Sequence, residues 1–282
     1  MDLKITGTQL EIHPDQLRQS FEAVAGLYPY QPSLSLWRAW EHAVYQEHDL
    51  PGPVLDLGCG DGRFFTLLWP ERGDVIGLDR NAVALAVAAR EKGYRLVCQS
   101  DAVLLPFEEE SFGSVFSNCV LEHLQDPLPV LREVHCCLRP GGKFLFSVIT
   151  KQLVDWIAPP WHALSSDSSH RFRTDSDLWT TYHSIEKALS AEEWRCALEA
   201  AGFAVERQTP ILPENSARVF LYLDILCHTP TSDGEVSSHL QSYLKNQRNF
   251  PEAYSHIVEG LCLMEIERQC SGGVVFMARK PC

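Results

Sequence analysis

Residues 54–68 read VLDLGCGDGRFFTLL: a short apolar run, a loop rich in glycine and a second apolar run. The first run, Val54–Leu57, has the length and composition of a buried strand. Glycines at positions 58, 60 and 62 permit a sharp turn and a close approach of a ligand, because they carry no Cβ atom. The run from Arg63 to Leu68 is typical of a helix. This order of elements is weak evidence by itself, since dinucleotide enzymes and plain turns use the same glycine spacing.

Strands and helices alternate on the carboxyl side of this stretch, and two helices precede it. The helices before it are predicted at 14–27 and 33–48. The strands after it are predicted at 74–78, 94–99, 114–118, 143–149, 203–211 and 274–279, with helices at 82–92, 128–138 and 191–201. Such alternation indicates an α/β fold with a doubly wound, mostly parallel sheet.

Two long segments interrupt the alternation and divide the chain into six parts. The predicted parts are an N-terminal helical cap at 1–52, a core at 53–150, a first insertion at 151–187, a continuation of the core at 188–212, a second and mainly helical insertion at 213–271, and a last core strand at 272–282. We expect both insertions to act as lids over one end of the sheet.

The composition restricts the classes of partner. The 282 residues hold 37 acids and 24 bases, a formal net charge of −13, which argues against nucleic acid because phosphates are held chiefly by clustered Lys and Arg. No apolar run approaches the roughly 18 residues of a membrane span. The ten cysteines lack metal-binding spacing and are expected to be free thiols. We therefore expect a cytoplasmic protein that acts on a small molecule.

Two carboxylates bracket the glycine loop and decide which ligand it suits. Asp56 precedes the first glycine and Asp61 lies between the last two. A pyrophosphate at the start of the helix would be repelled by these charges, whereas a cation would be attracted. S-adenosylmethionine carries a sulfonium and an ammonium against one carboxylate, so the loop fits this cofactor better than NAD.

Further acids follow the next two predicted strands. Asp79 comes 17 residues after Gly62 at the carboxyl end of the second strand, where an acid can accept both ribose hydroxyls. Asp101 and Ala102 follow the third strand and could meet the adenine edge. Open α/β sheets bind ligands at the carboxyl ends of their strands, so these residues predict a nucleoside site there.

Several motifs resemble those of the class I S-adenosylmethionine-dependent methyltransferases. The chain carries VLDLGCGDG at 54–62, VIGLDRN at 75–81, QSDAVLLPFEEESFGSVFSNCVLEHLQDP at 99–127 and LRPGGKFLFSV at 138–148. They cover about residues 52–150 in the expected order, and AGF at 201–203 and GGVVFMARK at 272–280 fit the end of the family's domain. The resemblance implies a seven-stranded sheet of order 3-2-1-4-5-7-6 with the seventh strand antiparallel.

The resemblance also implies a role for individual residues. Asp56, Gly58, Gly60 and Asp61 would adjoin the methionine part of the cofactor, Asp79 would hold the ribose, Arg80 would flank the adenine, Asp101 and Ala102 would meet its edge, and Asn118 with Cys119 would close the floor beneath the sulfonium. The reaction implied is an in-line transfer of a methyl group to a small acceptor, for which orientation and desolvation are the main requirements.

One histidine and several aromatic residues are candidates for the acceptor side. His123, after the fourth strand, could be a general base for a hydroxyl acceptor, although a packing role is the alternative. The candidates for binding the acceptor are Tyr28, Trp37, Trp161, His162, Tyr182 and His183. No metal is expected, because histidines 162, 170 and 183 are irregularly spaced.

The acceptor atom is predicted less sharply than the cofactor. The residues from Asn118 to Leu121 lack the Asn/Asp-Pro-Pro-Tyr/Phe pattern that is typical of methyltransferases acting on exocyclic amines. We therefore expect an O-methyltransferase of specialised or quinone-like metabolism. Alternatives are a C-methyltransferase of a small metabolite, a non-catalytic S-adenosylmethionine-binding protein and an NAD-dependent oxidoreductase.

Overall fold

The computed structural model describes residues 12–28, 31–157, 175–263 and 271–282. Its centre is a seven-stranded sheet of order β3-β2-β1-β4-β5-β9-β6, in which only β9 runs antiparallel to its neighbours. β9 is the seventh strand of this sheet along the chain, because β7 and β8 form a separate small hairpin. The predicted fold class and strand order are thus confirmed.

The elements follow the predicted alternation. The strands are β1 (Val54–Leu57), β2 (Val75–Asp79), β3 (Tyr94–Gln99), β4 (Phe112–Asn118), β5 (Leu138–Ile149), β6 (Ala204–Pro213), β7 (Pro230–Thr231), β8 (Gly234–Glu235) and β9 (Ser271–Arg279). The helices are α1 (Pro14–Ala25), α2 (Pro32–Tyr45), α3 (Arg63–Leu68), α4 (Ala82–Ala88), α5 (Leu128–Cys137), α6 (Lys151–Asp155), α7 (Asp175–Tyr182), α8 (Ala191–Ala200), α9 (Glu214–Cys227), α10 (Val236–Leu244) and α11 (Phe250–Leu263). A short 3₁₀ turn spans Leu121–His123.

Strand β5 begins earlier than the sequence predicts. The sequence predicts this strand at 143–149, but β5 already starts at Leu138. Leu138 pairs with Phe112 of β4. The next residues are tied to the chain end, since the Gly141 amide donates to the Lys280 carbonyl over 2.9 Å and the Lys280 amide donates to the Gly142 carbonyl over 3.0 Å. Asp79 is likewise the last residue of β2 rather than the residue after it.

Two apolar cores cover the two faces of the sheet. Successive residues of one strand alternate between them, as Val115 and Phe116 of β4 do. The core that contains Phe116 is closed by α1, α2, α9 and α11, and the core that contains Val115 is closed by α5 and α8. The cap helices therefore pack directly on the sheet.

The described part of the chain contains free cysteines and no disulfide. Its eight cysteines with described side chains are all free thiols. Within the described ranges, none of the helices has both the length and the apolar character needed to cross a bilayer.

Candidate functional site

The glycine loop after β1 packs closely against Val120 at Gly58 and is open at Gly60. A Cβ atom on Gly58, whose φ is +73°, would lie 2.4 Å from the side chain of Val120, so this position excludes any larger residue. No described atom lies within 4 Å of the corresponding position on Gly60. The Gly60 amide donates to Asp79 Oδ2 over 2.9 Å, which ties the loop to the end of β2.

Three cavities open at the carboxyl ends of the parallel strands. The loop cavity, of about 130 Å³, is lined by Tyr28, Arg38, Phe64 and the loop from Asp56 to Asp61 among others. The edge cavity, of about 400 Å³, runs across the ends of β2, β3 and β4. The insertion cavity, of about 350 Å³, lies between α2, α9 and the residues after α7.

The structure brings all the predicted cofactor residues to the first two cavities. Asp56, Gly58, Gly60 and Asp61 line the loop cavity; Gly58, Asp79, Arg80, Asp101, Ala102 and Cys119 line the edge cavity; and Asn118 lines both. The parallel strands end at one edge of the sheet, which explains why residues far apart in the sequence converge there.

Polar atoms between these cavities fit a nucleoside with a charged tail. Asn118 Nδ2 donates to Glu41, but its buried Oδ1 has no hydrogen-bond partner among the described residues. A buried acceptor without a partner costs free energy, and a donor such as an ammonium group would satisfy it. The carboxylates of Asp79 and Asp101 can accept from hydroxyl and amino groups in the edge cavity. The residues present therefore suit S-adenosylmethionine.

The carboxyl of Asp56 is buried behind the loop. Its side chain accepts a short hydrogen bond from the Tyr94 hydroxyl, and the residue is 2% exposed. Burial raises the pKa of Asp56 to about 7, against the opposing effect of the Tyr94 hydrogen bond.

The raised pKa of Asp56 predicts a pH-dependent contribution to stability. The folded carboxyl keeps its proton up to about pH 7 while the unfolded one ionises near 3.8, so the free energy of unfolding falls as pH rises between these values. We expect the decrease in the free energy of unfolding to be ~2–4 kcal/mol smaller in Asp56→Asn than in the wild-type protein. Urea unfolding of both proteins at pH 5 and pH 7.5 measures it. If the free energy of unfolding fell by the same amount between pH 5 and pH 7.5 in both proteins, the assignment to Asp56 would be contradicted.

A buried ionic network on α2 was missed by sequence reasoning. Glu41 is fully buried and accepts from Arg38 Nη1 over 2.6 Å and from Ser147 Oγ over 2.6 Å. Asn118 Nδ2 and Cys119 Sγ also donate to it, over 3.2 Å and 3.0 Å. Arg38 lines all three cavities. The available signal was a pair of charges three residues apart on an otherwise apolar helix.

The predicted acceptor residues separate in the structure. Trp37 and His183 line the insertion cavity, whereas Tyr28 lines the loop cavity. Tyr182 is 52% exposed and contacts His228 instead of lining any of the three cavities. Trp161 and His162 lie outside the described residues. Asp224 and His228, which sequence reasoning did not select, also line the insertion cavity.

His123 lies where two cavities adjoin. It lines both the edge cavity and the insertion cavity, as do Arg38 and Cys119. His123 Nδ1 is 3.0 Å from the Ser184 carbonyl oxygen, which can only accept, so Nδ1 carries a proton. In the neutral ring Nε2 is then free to accept a proton. Burial and the neighbouring Glu41 charge raise the pKa of the Cys119 thiol, which keeps it neutral beside this histidine.

The central part of the chain is similar to known methyltransferases. Residues 55–146 match the family described as a methyltransferase domain. A 2-phytyl-1,4-naphtoquinone methyltransferase of Synechococcus elongatus is 35% identical over 144 residues, which are 46% of this chain and 62% of that protein. A ubiquinone biosynthesis O-methyltransferase of Aliivibrio fischeri is 34% identical over 109 residues, 37% of this chain and 47% of that protein. The match thus spans about half of these two relatives.

A solved structure shares the fold over most of the chain. The phosphoethanolamine N-methyltransferase 2 of Haemonchus contortus, solved with phosphomonomethylethanolamine and S-adenosylhomocysteine, superposes with a TM-score of 0.54. Its sequence is 18% identical, and the match covers 86% of this chain and 52% of that one. At this identity the likeness establishes the architecture only.

Proposed function

We propose that this chain is a class I S-adenosylmethionine-dependent methyltransferase and that it methylates a hydroxyl oxygen of a small, flat, apolar acceptor. When bound, S-adenosylmethionine supplies a methyl group made electrophilic by its sulfonium. The proposal rests chiefly on one observation: Arg38, Cys119 and His123 line both the edge cavity and the insertion cavity. A donor in the first and an acceptor in the second would meet at these residues.

The walls of the insertion cavity support an aromatic acceptor. Trp37 and Phe220 stand with ring centroids 5.4 Å apart, and Trp179 and the apolar Ile149 and Ile185 complete much of the lining. Aromatic and aliphatic walls with a few polar groups are typical of small-molecule sites. The two curated relatives are named for naphthoquinone and ubiquinone chemistry, which agrees with a quinone-like acceptor of specialised metabolism.

His123 would act as the general base. As the acceptor oxygen gains the methyl group, its hydroxyl proton passes to Nε2 of His123, the nitrogen that carries no proton in a neutral ring whose Nδ1 donates to the Ser184 carbonyl. Asp79 would hold the ribose hydroxyls, Asp101 and Ala102 the adenine edge, and Asn118 the ammonium end of the cofactor. The net charge of −13 makes nucleic acid an unsuitable acceptor.

A turnover assay tests the proposal. S-adenosylhomocysteine formation is measured with a panel of phenols, catechols and hydroquinones, and the product is examined by mass spectrometry and NMR. We expect a methyl ether from at least one phenolic compound. A methyl group on carbon would assign the enzyme to C-methylation, and tight cofactor binding with no turnover on any acceptor would favour a non-catalytic binding protein.

The ribose assignment of Asp79 makes a separate prediction. Asp79→Ala is expected to weaken S-adenosylhomocysteine binding by at least ~10-fold, because hydrogen bonds to a charged group contribute about 1.5–3 kcal/mol each. Isothermal titration calorimetry measures the change. Asp74→Ala, which alters a carboxylate just before the opposite end of β2, is the matched control and should bind normally.

A ligand series separates ribose binding from ordering of the loop, since Asp79 also accepts from the Gly60 amide. The wild-type protein should bind adenosine more tightly than 2′,3′-dideoxyadenosine, and Asp79→Ala should bind the two alike. Equal discrimination by both proteins would contradict the ribose role.

A further inference from the structure

Three metal-ligating side chains meet in the wall of the insertion cavity. His183 Nε2 lies 2.7 Å from Asp224 Oδ2, and His228 Nε2 lies 3.6 Å from Asp224 Oδ1. The three ligand atoms are all within 4.8 Å of one another. All three residues line the insertion cavity, and none of them lines the edge cavity. We infer that they bind a divalent first-row transition metal ion.

The donor set points to this class of metal. Two imidazole nitrogens and one carboxylate oxygen suit Zn²⁺, Fe²⁺, Co²⁺ and related ions, whereas Mg²⁺ and Ca²⁺ prefer oxygen ligands throughout. Three protein ligands leave at least one coordination position for a solvent or substrate atom. Because the cluster lines a cavity, that position can be reached from the cavity.

The groups around the cluster hold the ligands in place. Trp179 Nε1 donates to Asp224 Oδ2 over 2.9 Å, which fixes the carboxylate. On the other side of the cluster, His228 Nδ1 is 3.1 Å from Glu235 and 2.7 Å from the Tyr182 hydroxyl. A proton on Nδ1 directed at Glu235 leaves Nε2 free to ligate a metal. Carboxylate partners of this kind are the usual support of metal-bound histidines.

The scaffold also favours a cation. Asp224 and His228 lie one turn apart at the carboxyl end of α9, where the exposed carbonyls of a 14-residue helix carry partial negative charge. His183 follows directly after α7 and reaches the same point. The sequence expectation of no metal considered only histidines of the first insertion. The cluster combines one of those with two residues of the second.

A metal here would give the acceptor a second anchor. Its open position could take an oxygen of the acceptor, most readily one of two vicinal oxygens on an aromatic ring. That role rests on the proposed function, whereas binding of the metal itself does not. Ligation through Nε2 requires His183 to carry its ring proton on Nδ1, so that bonds to the metal ion replace the hydrogen bond between His183 Nε2 and Asp224.

Titration of the full-length protein with Zn²⁺ tests the site. The protein is treated with EDTA, dialysed and titrated by calorimetry, and Co²⁺ absorption reports the ligand geometry. We expect saturable binding of about one ion per chain. His228→Gln should weaken it by ~10–100-fold or more, and Glu235→Gln, which leaves all three ligands in place, by about 10-fold.

His239→Gln is the matched control. His239 Nε2 pairs with Asp233 over 3.1 Å on the surface, with more than half of each side chain exposed, and its loss should not change Zn²⁺ binding. Absence of saturable binding, or equal affinity in the wild-type and His228→Gln proteins, would overturn the metal site. S-adenosylhomocysteine affinity and methyl transfer are measured on the same samples. Metal binding without turnover would count against the proposed function alone, and turnover without metal binding against the metal site alone.

Discussion

Replacing His123 with glutamine is expected to lower kcat by ~10²–10⁴-fold, the range for loss of a general base. Glutamine can still donate to the Ser184 carbonyl, which lies 3.0 Å from Nδ1, but it cannot take a proton from a hydroxyl acceptor. Affinity for S-adenosylhomocysteine should stay the same. Steady-state kinetics with an acceptor found in the panel, together with calorimetry of the product nucleoside, measure both quantities.

The control for His123→Gln is the same substitution at His135. His135 packs against Phe203 with ring centroids 5.1 Å apart and lines none of the three cavities, so its variant should keep full turnover. If the His123→Gln enzyme kept the wild-type kcat at neutral pH, His123 would not be a general base. Orientation and desolvation would then be the sources of catalysis. An acceptor that is already an oxyanion would give that result.

The cofactor side of the site could be predicted from the sequence because its residues adjoin the strands. Asp56, Asp79 and Asp101 each lie within or just after one of the first three strands, and the parallel topology alone brings such positions to one edge. Strand starts were less predictable. The start of β5 depends on pairing of Leu138 with Phe112 of β4 and on the contact of Gly141 with Lys280 about 140 residues away, neither of which a local pattern records.

The acceptor side could be predicted only in part, because its polar groups come from helices far apart in the chain. Asp224 lies 41 residues from His183, and only the packing of α9 beside α7 brings them together. On α9 the residues around Asp224 are apolar, so the pattern indicates a core helix and gives no sign of a partner. Arg38 and Glu41 are hidden in the same way within the apolar stretch of α2.

The Arg38 and Glu41 pair connects the cap helices to the site. Glu41 has no exposed surface and accepts from groups on α2, from residues at the end of β4 and from Ser147 on β5. Arg38 is the only charged donor among the hydrogen-bond partners of Glu41 in the described residues, and its guanidinium also lies 5.1 Å from the Phe64 ring centroid. The network thus fixes α2 against the floor between the edge and loop cavities.

Arg38→Met is therefore expected to lower the free energy of unfolding by ~3–5 kcal/mol, because it leaves a buried carboxylate without its cation. Methionine preserves most of the apolar stem, so packing loss contributes little. Urea unfolding followed by circular dichroism measures the change. Arg18→Met is the control: Arg18 pairs with Glu22 over 2.8 Å and with Glu259 over 3.5 Å at a partly exposed position on α1, and loss of each such pair costs about 0–1 kcal/mol.

The double variant Arg38→Met/Glu41→Gln separates charge from shape. A neutral glutamine can still accept from Ser147 and Asn118, so the double variant should be more stable than Arg38→Met alone by ~1–3 kcal/mol. If Arg38→Met were within 1 kcal/mol of the wild-type protein, Glu41 would not depend on the Arg38 charge in the fold. In that case the three neutral donors would suffice to hold α2, and Arg38 would be free to serve a ligand carboxylate.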